Sequence, residues 1–129
     1  MNLSRLLLIH AIITFAAGLV LIVAPGIIPA AVGIRLDPHA YLICYLLGAA
    51  ELSIAVLSLY GSSPRHIDAL RVICLTIIVF HVSSAIVEIL GFIQGISSII
   101  WLNIAVRVLA VILFVYYGIY KNTEKNQSL

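Results

Sequence analysis

Charged side chains are scarce in this chain. Of its 129 residues, seven are Lys or Arg and five are Asp or Glu, which is 9%, whereas soluble proteins carry roughly a quarter. Apolar residues make up 64%, and the mean hydropathy is +1.23. No run of Lys and Arg and no mixture of basic and aromatic residues indicates a nucleic-acid partner. The shortage of charge excludes a soluble domain and predicts the lipid bilayer as the partner.

Cysteine is also rare, with only Cys44 and Cys74. They are expected near opposite ends of their segments, far beyond the ~7 Å between Cα atoms that a disulfide allows. We therefore expect two small buried residues and no disulfide.

Motifs of known chemistry are missing. There is no Glu-x-x-His pair for a di-iron site, no HExxH, no Cys-x-x-Cys, no Ser/His/Asp set and no phosphate loop. A bis-His haem would need His10 and His81, but helical rise separates them in depth by roughly 7–10 Å. We expect His10 to be an interfacial side chain. No motif supports catalysis, so we expect a non-enzymatic protein, and the residues name no cofactor and no metal.

Four long apolar segments organise the sequence: 6–24, 41–60, 69–93 and 99–120. Each approaches or exceeds the ~20 residues that a helix needs to cross a ~30 Å hydrocarbon core. The first is longer than the ~7–15-residue apolar core of a signal peptide, which favours a membrane-spanning helix. The sequence predicts an all-α membrane protein, with one transmembrane domain over 1–129 forming a four-transmembrane-helix bundle.

Basic residues are unevenly distributed between the two sides of such a bundle. One side holds only Arg35, and the other holds Arg5, Arg65, Arg71, Lys121 and Lys125. By the positive-inside rule, both termini are predicted to be cytoplasmic. The expected location is a bacterial cytoplasmic membrane.

The connection over 25–40 is long and unusually apolar. Pro25 and Pro29 should end the first helix. The apolar residues between Pro25 and Arg35 predict a short interfacial helix or loop after helix 1. Asp37 precedes a proline and is predicted to cap the second long helix.

Polar and ionisable residues lie deep inside the apolar segments, where each is costly unless it has a partner or a function. Small and polar residues recur at spacings of three and four on each segment, which keeps them on one helix face. The fourth segment shows this with Asn103, Arg107 and Ala110, continuing to Phe114 and Tyr117. The candidate ligand-binding residues on these faces are Glu51, His81, Ser84, Glu88, Asn103 and Arg107.

Helical rise predicts how these residues are layered. Glu51 and His81 should lie at one level near the membrane centre, as a neutral hydrogen-bonded pair with a functional role. Glu88 should lie roughly 10 Å further out, level with Asn103. Arg107 should lie between the two layers and form a structural ion pair with Glu88.

Three stretches of the sequence resemble those of a known family. Residues 46–61 read LLGAAELSIAVLSLYG, which contains the pattern Gly48-x-x-Glu51-Leu52 and resembles the second helix of DoxX-like four-helix membrane proteins. Residues 80–90, FHVSSAIVEIL, and 101–107, WLNIAVR, are similar to the later helices of an uncharacterised branch of that group. The resemblance implies a four-helix bundle and roles as diverse as redox-linked accessory subunits and assembly factors. It implies no catalytic residue.

Two functions follow from these patterns. In the first, the polar interior forms a pocket that binds a small hydrophobic or polar molecule, a lipid or a proton. Alternatively, the polar core is structural in an accessory or assembly subunit of a larger membrane complex, with a cofactor on His81 as one option. Either a homo-oligomer or a larger complex is compatible with the sequence.

Overall fold

The computed structural model describes residues 2–63 and 67–121, and every regular element in those ranges is helical. In chain order these elements are α1 Leu3–Val23, α2 Ile27–Ala31, a 3₁₀ turn Pro38–Ala40, α3 Tyr41–Ser62, α4 Ile67–Ile93, α5 Ile100–Phe114 and a π-helical extension of α5, Val115–Tyr120. The predicted bounds of the four long segments differ from these by no more than about one helical turn. The short helix predicted after the first long one is present as α2.

The four long helices are long and apolar enough to cross a membrane. Their outward faces carry large apolar side chains, with Val23, Ile93 and Leu102 more than 70% exposed. Such a surface suits hydrocarbon and not water. The chain is therefore a multi-pass integral membrane protein. Arg65 and Lys125, two of the residues used to predict its orientation, lie outside the described residues.

Polar side chains cap the helices where the chain enters the bundle. The Asn2 side chain accepts a hydrogen bond from the backbone N–H of Arg5 (3.0 Å) and caps α1. Asp37 accepts one from the backbone N–H of His39 (3.0 Å) and caps the 3₁₀ turn that leads into α3. The predicted capping role of Asp37 is confirmed, with the short turn between the cap and the α-helix.

The helices pack mainly as two antiparallel pairs, α1 with α3 and α4 with α5. Gly18 and Gly48 bring the backbones of α1 and α3 into contact, because a Cβ at either would lie 2.9 Å from the carbonyl oxygen of the other. Small residues permit such close approach in membranes. We call the end that holds Leu3, Ser62 and Tyr120 the termini end, and the opposite end the α2 end.

A tight apolar cluster joins the two pairs near the termini end. It consists of Leu6, Leu7, Ile73, Cys74, Ile77 and Phe114. Cys44 and Cys74 are buried free thiols. Above this cluster, toward the α2 end, the interior becomes polar.

Candidate polar site in the bundle interior

The first polar group above the apolar cluster is a contact between two imidazoles. Nε2 of His10 on α1 lies 2.8 Å from Nε2 of His81 on α4, and His10 Nδ1 lies 2.8 Å from Oγ of Ser58 on α3. The Thr14 hydroxyl lies 3.4 Å from His10 Nε2. All four residues are buried. We call His10, Thr14, Ser58 and His81 the histidine layer.

His10 was expected at the interface, and that prediction is wrong. The structure buries its side chain to 8% exposure, at the level of His81. The error came from the assumption that the ends of the apolar segments lie at equal depths in the membrane. α4 has 27 residues and α1 has 21, about 40 Å and about 32 Å of helix. Counting from segment ends therefore does not give equal depths.

The short distance between the imidazoles bears on metal binding. A metal with two imidazole ligands holds each nitrogen at about 2.0–2.1 Å. The two Nε2 atoms are 2.8 Å apart, so they are joined by a hydrogen bond and leave no room for an ion between them. Among the described residues, no group of three or more His, Cys, Asp or Glu side chains is arranged to hold a metal.

Hydrogen-bond donors can be followed through the histidine layer. The Ser58 hydroxyl donates to the carbonyl oxygen of Ile54 (2.9 Å), so its oxygen accepts from Nδ1–H of His10. A neutral His10 then accepts at Nε2 from Nε2–H of His81. This leaves His81 Nδ1 as an acceptor, buried and without a partner among the described residues. If each of these imidazole hydrogen bonds runs in the opposite direction, His81 Nδ1 carries a hydrogen and is an unpaired donor. In both arrangements His81 Nδ1 lacks a hydrogen-bond partner among the described residues.

Aromatic rings surround the two imidazoles. Phe114, which is fully buried, packs edge-to-face on His10 with the ring centroids 5.1 Å apart. Phe80 packs on His81 with the ring centroids 5.5 Å apart. These apolar contacts keep water from the hydrogen bonds of the layer, which strengthens them and raises the cost of the unpaired nitrogen.

The second polar group lies nearer the α2 end. Glu88 Oε1 on α4 accepts from Nε of Arg107 (2.7 Å) and from Nδ2 of Asn103 (2.6 Å), both on α5. The predicted ion pair, with Asn103 completing the network, is confirmed. The other carboxylate oxygen, Oε2, is buried and has no partner among the described residues. The Arg107 guanidinium also lies over the Phe80 ring, 5.8 Å from its centroid.

Glu51 belongs to this second group and not with His81. It precedes Ser58 by seven residues on α3, and Glu88 follows His81 by seven on the antiparallel α4. Both carboxyl groups are therefore roughly 10 Å from the histidine layer, in the same direction. Arg107 and Glu88 are close enough to Glu51 to act on it electrostatically. We call Glu51, Glu88, Asn103 and Arg107 the acid layer.

The predicted Glu51–His81 hydrogen bond is wrong. His81 bonds through Nε2 to His10, and its Nδ1 has no partner. Glu51 is 8% exposed and forms no hydrogen bond through its side chain with any described residue.

Ser84 and Asn103 are less central than expected. Ser84 is half-buried on α4 and forms no hydrogen bond with the other five candidates. Asn103 is exposed at the edge of α5, although its amide reaches Glu88. The structure thus groups four of the candidates in the acid layer and leaves His81 with residues that were not proposed for the site. The spacing of four between His10 and Thr14, and the place of Ser58 on the small-residue face of α3, were the signals available for them.

Two open grooves on the lipid-facing surface lie beside these two layers. The groove between α4 and α5 has a volume of about 210 Å³, and its lining includes His81, Ala85 and Val108. The groove between α2 and α5 has a volume of about 360 Å³, and its lining includes Ile27 and Asn103. Each apolar groove therefore has one residue of a polar layer in its wall.

In comparisons with known proteins, no protein-family model, no curated protein and no solved structure matches this chain. Its chemistry has to be inferred from the two layers themselves.

Proposed function

We propose that this membrane protein binds a small, membrane-soluble molecule whose polar group hydrogen-bonds to His81 and whose apolar part lies in the groove between α4 and α5. The observation that carries the proposal is the unpaired, buried Nδ1 of His81. Leaving such a group unsatisfied costs about 1–3 kcal/mol. A ligand with a hydroxyl or amide would supply the missing hydrogen bond.

The groove supports this proposal because its lining combines His81 with apolar residues such as Ala85, Val108 and Ile112. Binding sites for small molecules are mostly apolar, with a few polar groups that fix orientation. At about 210 Å³ the groove suits a small ligand or one end of a lipid. Because it opens toward the surrounding hydrocarbon, such a molecule would enter sideways from the bilayer.

Family and orientation are part of the same proposal. The Gly48-x-x-Glu51-Leu52 pattern, with its resemblance to DoxX-like proteins, is the basis for proposing a DoxX-like bundle. A cytoplasmic position for both termini is supported by Arg5, Arg71 and Lys121 at the termini end of the helices that carry them. We place the protein in a bacterial cytoplasmic membrane on the same expectation.

Native mass spectrometry of the protein, taken from its host membrane into lipid nanodiscs, tests the proposal. The wild type should retain a bound molecule more tightly than the surrounding lipids. Ala85→Leu should abolish retention, because the larger side chain fills the groove and leaves the polar groups intact. Ala105→Leu adds the same volume on the exposed face of α5 and should retain the molecule.

A wild type that retains nothing beyond exchangeable lipid would refute the proposal. Equal retention by Ala85→Leu and Ala105→Leu would also refute this groove as the site. The structural role in a larger complex would then be the remaining function, and intact complexes in the same spectra would support it.

A further inference from the structure

We infer that Glu51 is a proton-binding site, and that its ionisation is controlled by the Glu88–Arg107 pair. Glu51 belongs to the acid layer, which is separate from the proposed ligand site at His81. Two independent observations point to an unfilled site: the Glu51 side chain belongs to a residue only 8% exposed and forms no hydrogen bond with any described residue, and Glu88 Oε2 is buried and unpaired among the same residues.

The charges of the acid layer do not balance when both carboxyl groups are ionised. Glu51 on α3 and Glu88 on α4 face a single cation, Arg107 on α5. His10 on α1 and His81 on α4, which are also titratable and buried, lie in the histidine layer roughly 10 Å away. An uncompensated charge away from water is very costly and is usually removed by protonation. One of the two carboxyl groups should therefore hold a proton.

The hydrogen bonds decide which carboxyl group that is. Glu88 accepts two donors, one of them cationic, at 2.7 and 2.6 Å. Such bonds stabilise the ionised form. Glu51 accepts none from the described residues, so the proton resides on its carboxyl oxygen. The acid layer then contains one ion pair and one neutral acid.

This arrangement makes the proton exchangeable. If Glu88 takes up a proton and separates from Arg107, Glu51 can release its own proton and compensate Arg107 as a carboxylate. When the Glu88–Arg107 pair re-forms, Glu88 releases its proton and Glu51 takes one up. The layer therefore holds one proton, and the state of a single ion pair decides which carboxyl group carries it.

Infrared spectroscopy of the full chain in lipid nanodiscs at neutral pH tests the inference. A protonated carboxyl group has a carbonyl stretching band that shifts in D₂O. The chain contains only five Asp and Glu residues, so the band can be assigned by substitution. The wild type should show one buried band, Glu51→Gln should lose it, and Asp37→Asn, in an exposed turn, should keep it.

The decisive variant is Glu88→Gln. It retains the Glu51 carboxyl but removes the anion that neutralises Arg107, so Glu51 should ionise and the band should disappear. A band that persists in Glu88→Gln would mean that hydrocarbon alone protonates Glu51, and the inferred coupling would be wrong. A wild type without any band would refute the site outright, whether or not a molecule is retained at His81.

A second variant covers the case in which Glu88→Gln does not fold, as judged by circular dichroism. Asn103→Asp adds a third carboxyl group beside the same single cation, so it should roughly double the band intensity. An unchanged band in Asn103→Asp would contradict charge balance as the cause. These two variants move the band in opposite directions, which a nonspecific loss of packing would not do.

Discussion

Removal of the Arg107 side chain should be among the most destabilising single changes in this bundle. Its Nε lies 2.7 Å from Glu88 Oε1, and both side chains are only 14% exposed. Arg107→Leu leaves Glu88 with Asn103 as its only donor among the described residues. Breaking one member of a buried pair typically costs about 3–5 kcal/mol. Because Glu88 can take up a proton, we expect a value near the lower end of that range.

Glu88→Leu should cost less than Arg107→Leu. Arg107 has a second carboxyl group, Glu51, close enough to act on it electrostatically. Glu51 can ionise and compensate the guanidinium, whereas no second cation among the described residues of the acid layer can compensate Glu88. The double variant should also be more stable than Arg107→Leu, since apolar replacement of both partners of a buried pair is often close to neutral.

A double-mutant cycle in a detergent-unfolding assay measures these differences. Leu102→Ala, at a side chain that is 72% exposed, serves as the control for an α5 substitution outside the pair. Purely additive effects of Arg107→Leu and Glu88→Leu would show that the residues do not interact in the membrane-embedded protein. Asn103→Leu should cost about 1.5–3 kcal/mol, the usual range for a hydrogen bond to a charged group.

Two further predictions concern helix packing and orientation. Gly48→Ala should destabilise the bundle by about 1–3 kcal/mol in the same assay, because its Cβ would lie 2.8–2.9 Å from α1 atoms. Gly26→Ala should be tolerated, because a Cβ there would lie at an ordinary 3.5 Å from the Tyr41 hydroxyl. Equal effects of the two substitutions would contradict the close contact at Gly48. With both native cysteines replaced by alanine, a cysteine at Asp37 should react with an impermeant thiol reagent in intact cells and one at Gln127 should not. The reverse pattern would overturn the proposed orientation.

The long helices were predictable because length and apolar content dominate their formation. A run of about 20 apolar residues satisfies its backbone only as a helix in hydrocarbon, whatever its neighbours are. The ion pair was predictable for a similar reason, since Glu88 and Arg107 are the most costly residues to leave unpaired at that depth. The starts of α1 and α4 were predicted three and two residues too late, because polar residues such as Arg5 and Asp68 lie in their first turns.

The histidine layer could not be predicted, because pairing across helices depends on their relative shift along the membrane normal. If the helices shift relative to one another by two turns, about 10 Å, His10 and not Glu51 lies at the level of His81. The spacings within α1 and α4 are unaffected by that shift. What sets it is packing, in particular the contact between Gly18 and Gly48 and the apolar cluster at the termini end.

The rotation of α5 explains why Glu51 lacks a hydrogen bond. The sequence predicted Asn103, Arg107 and Phe114 on the inward face of this helix. Phe114 is buried as predicted, but nearer the α2 end the buried residues are Ile100 and Ile104. The π-helical turn brings Gly118 inward. Asn103 and Arg107 therefore lie toward α4, where both reach Glu88. Since α5 offers its donors to one side only, the carboxyl on α3 interacts with Arg107 by charge alone. Because of that asymmetry, Glu88 is the ionised carboxyl group and Glu51 the neutral one, although the two side chains are chemically identical.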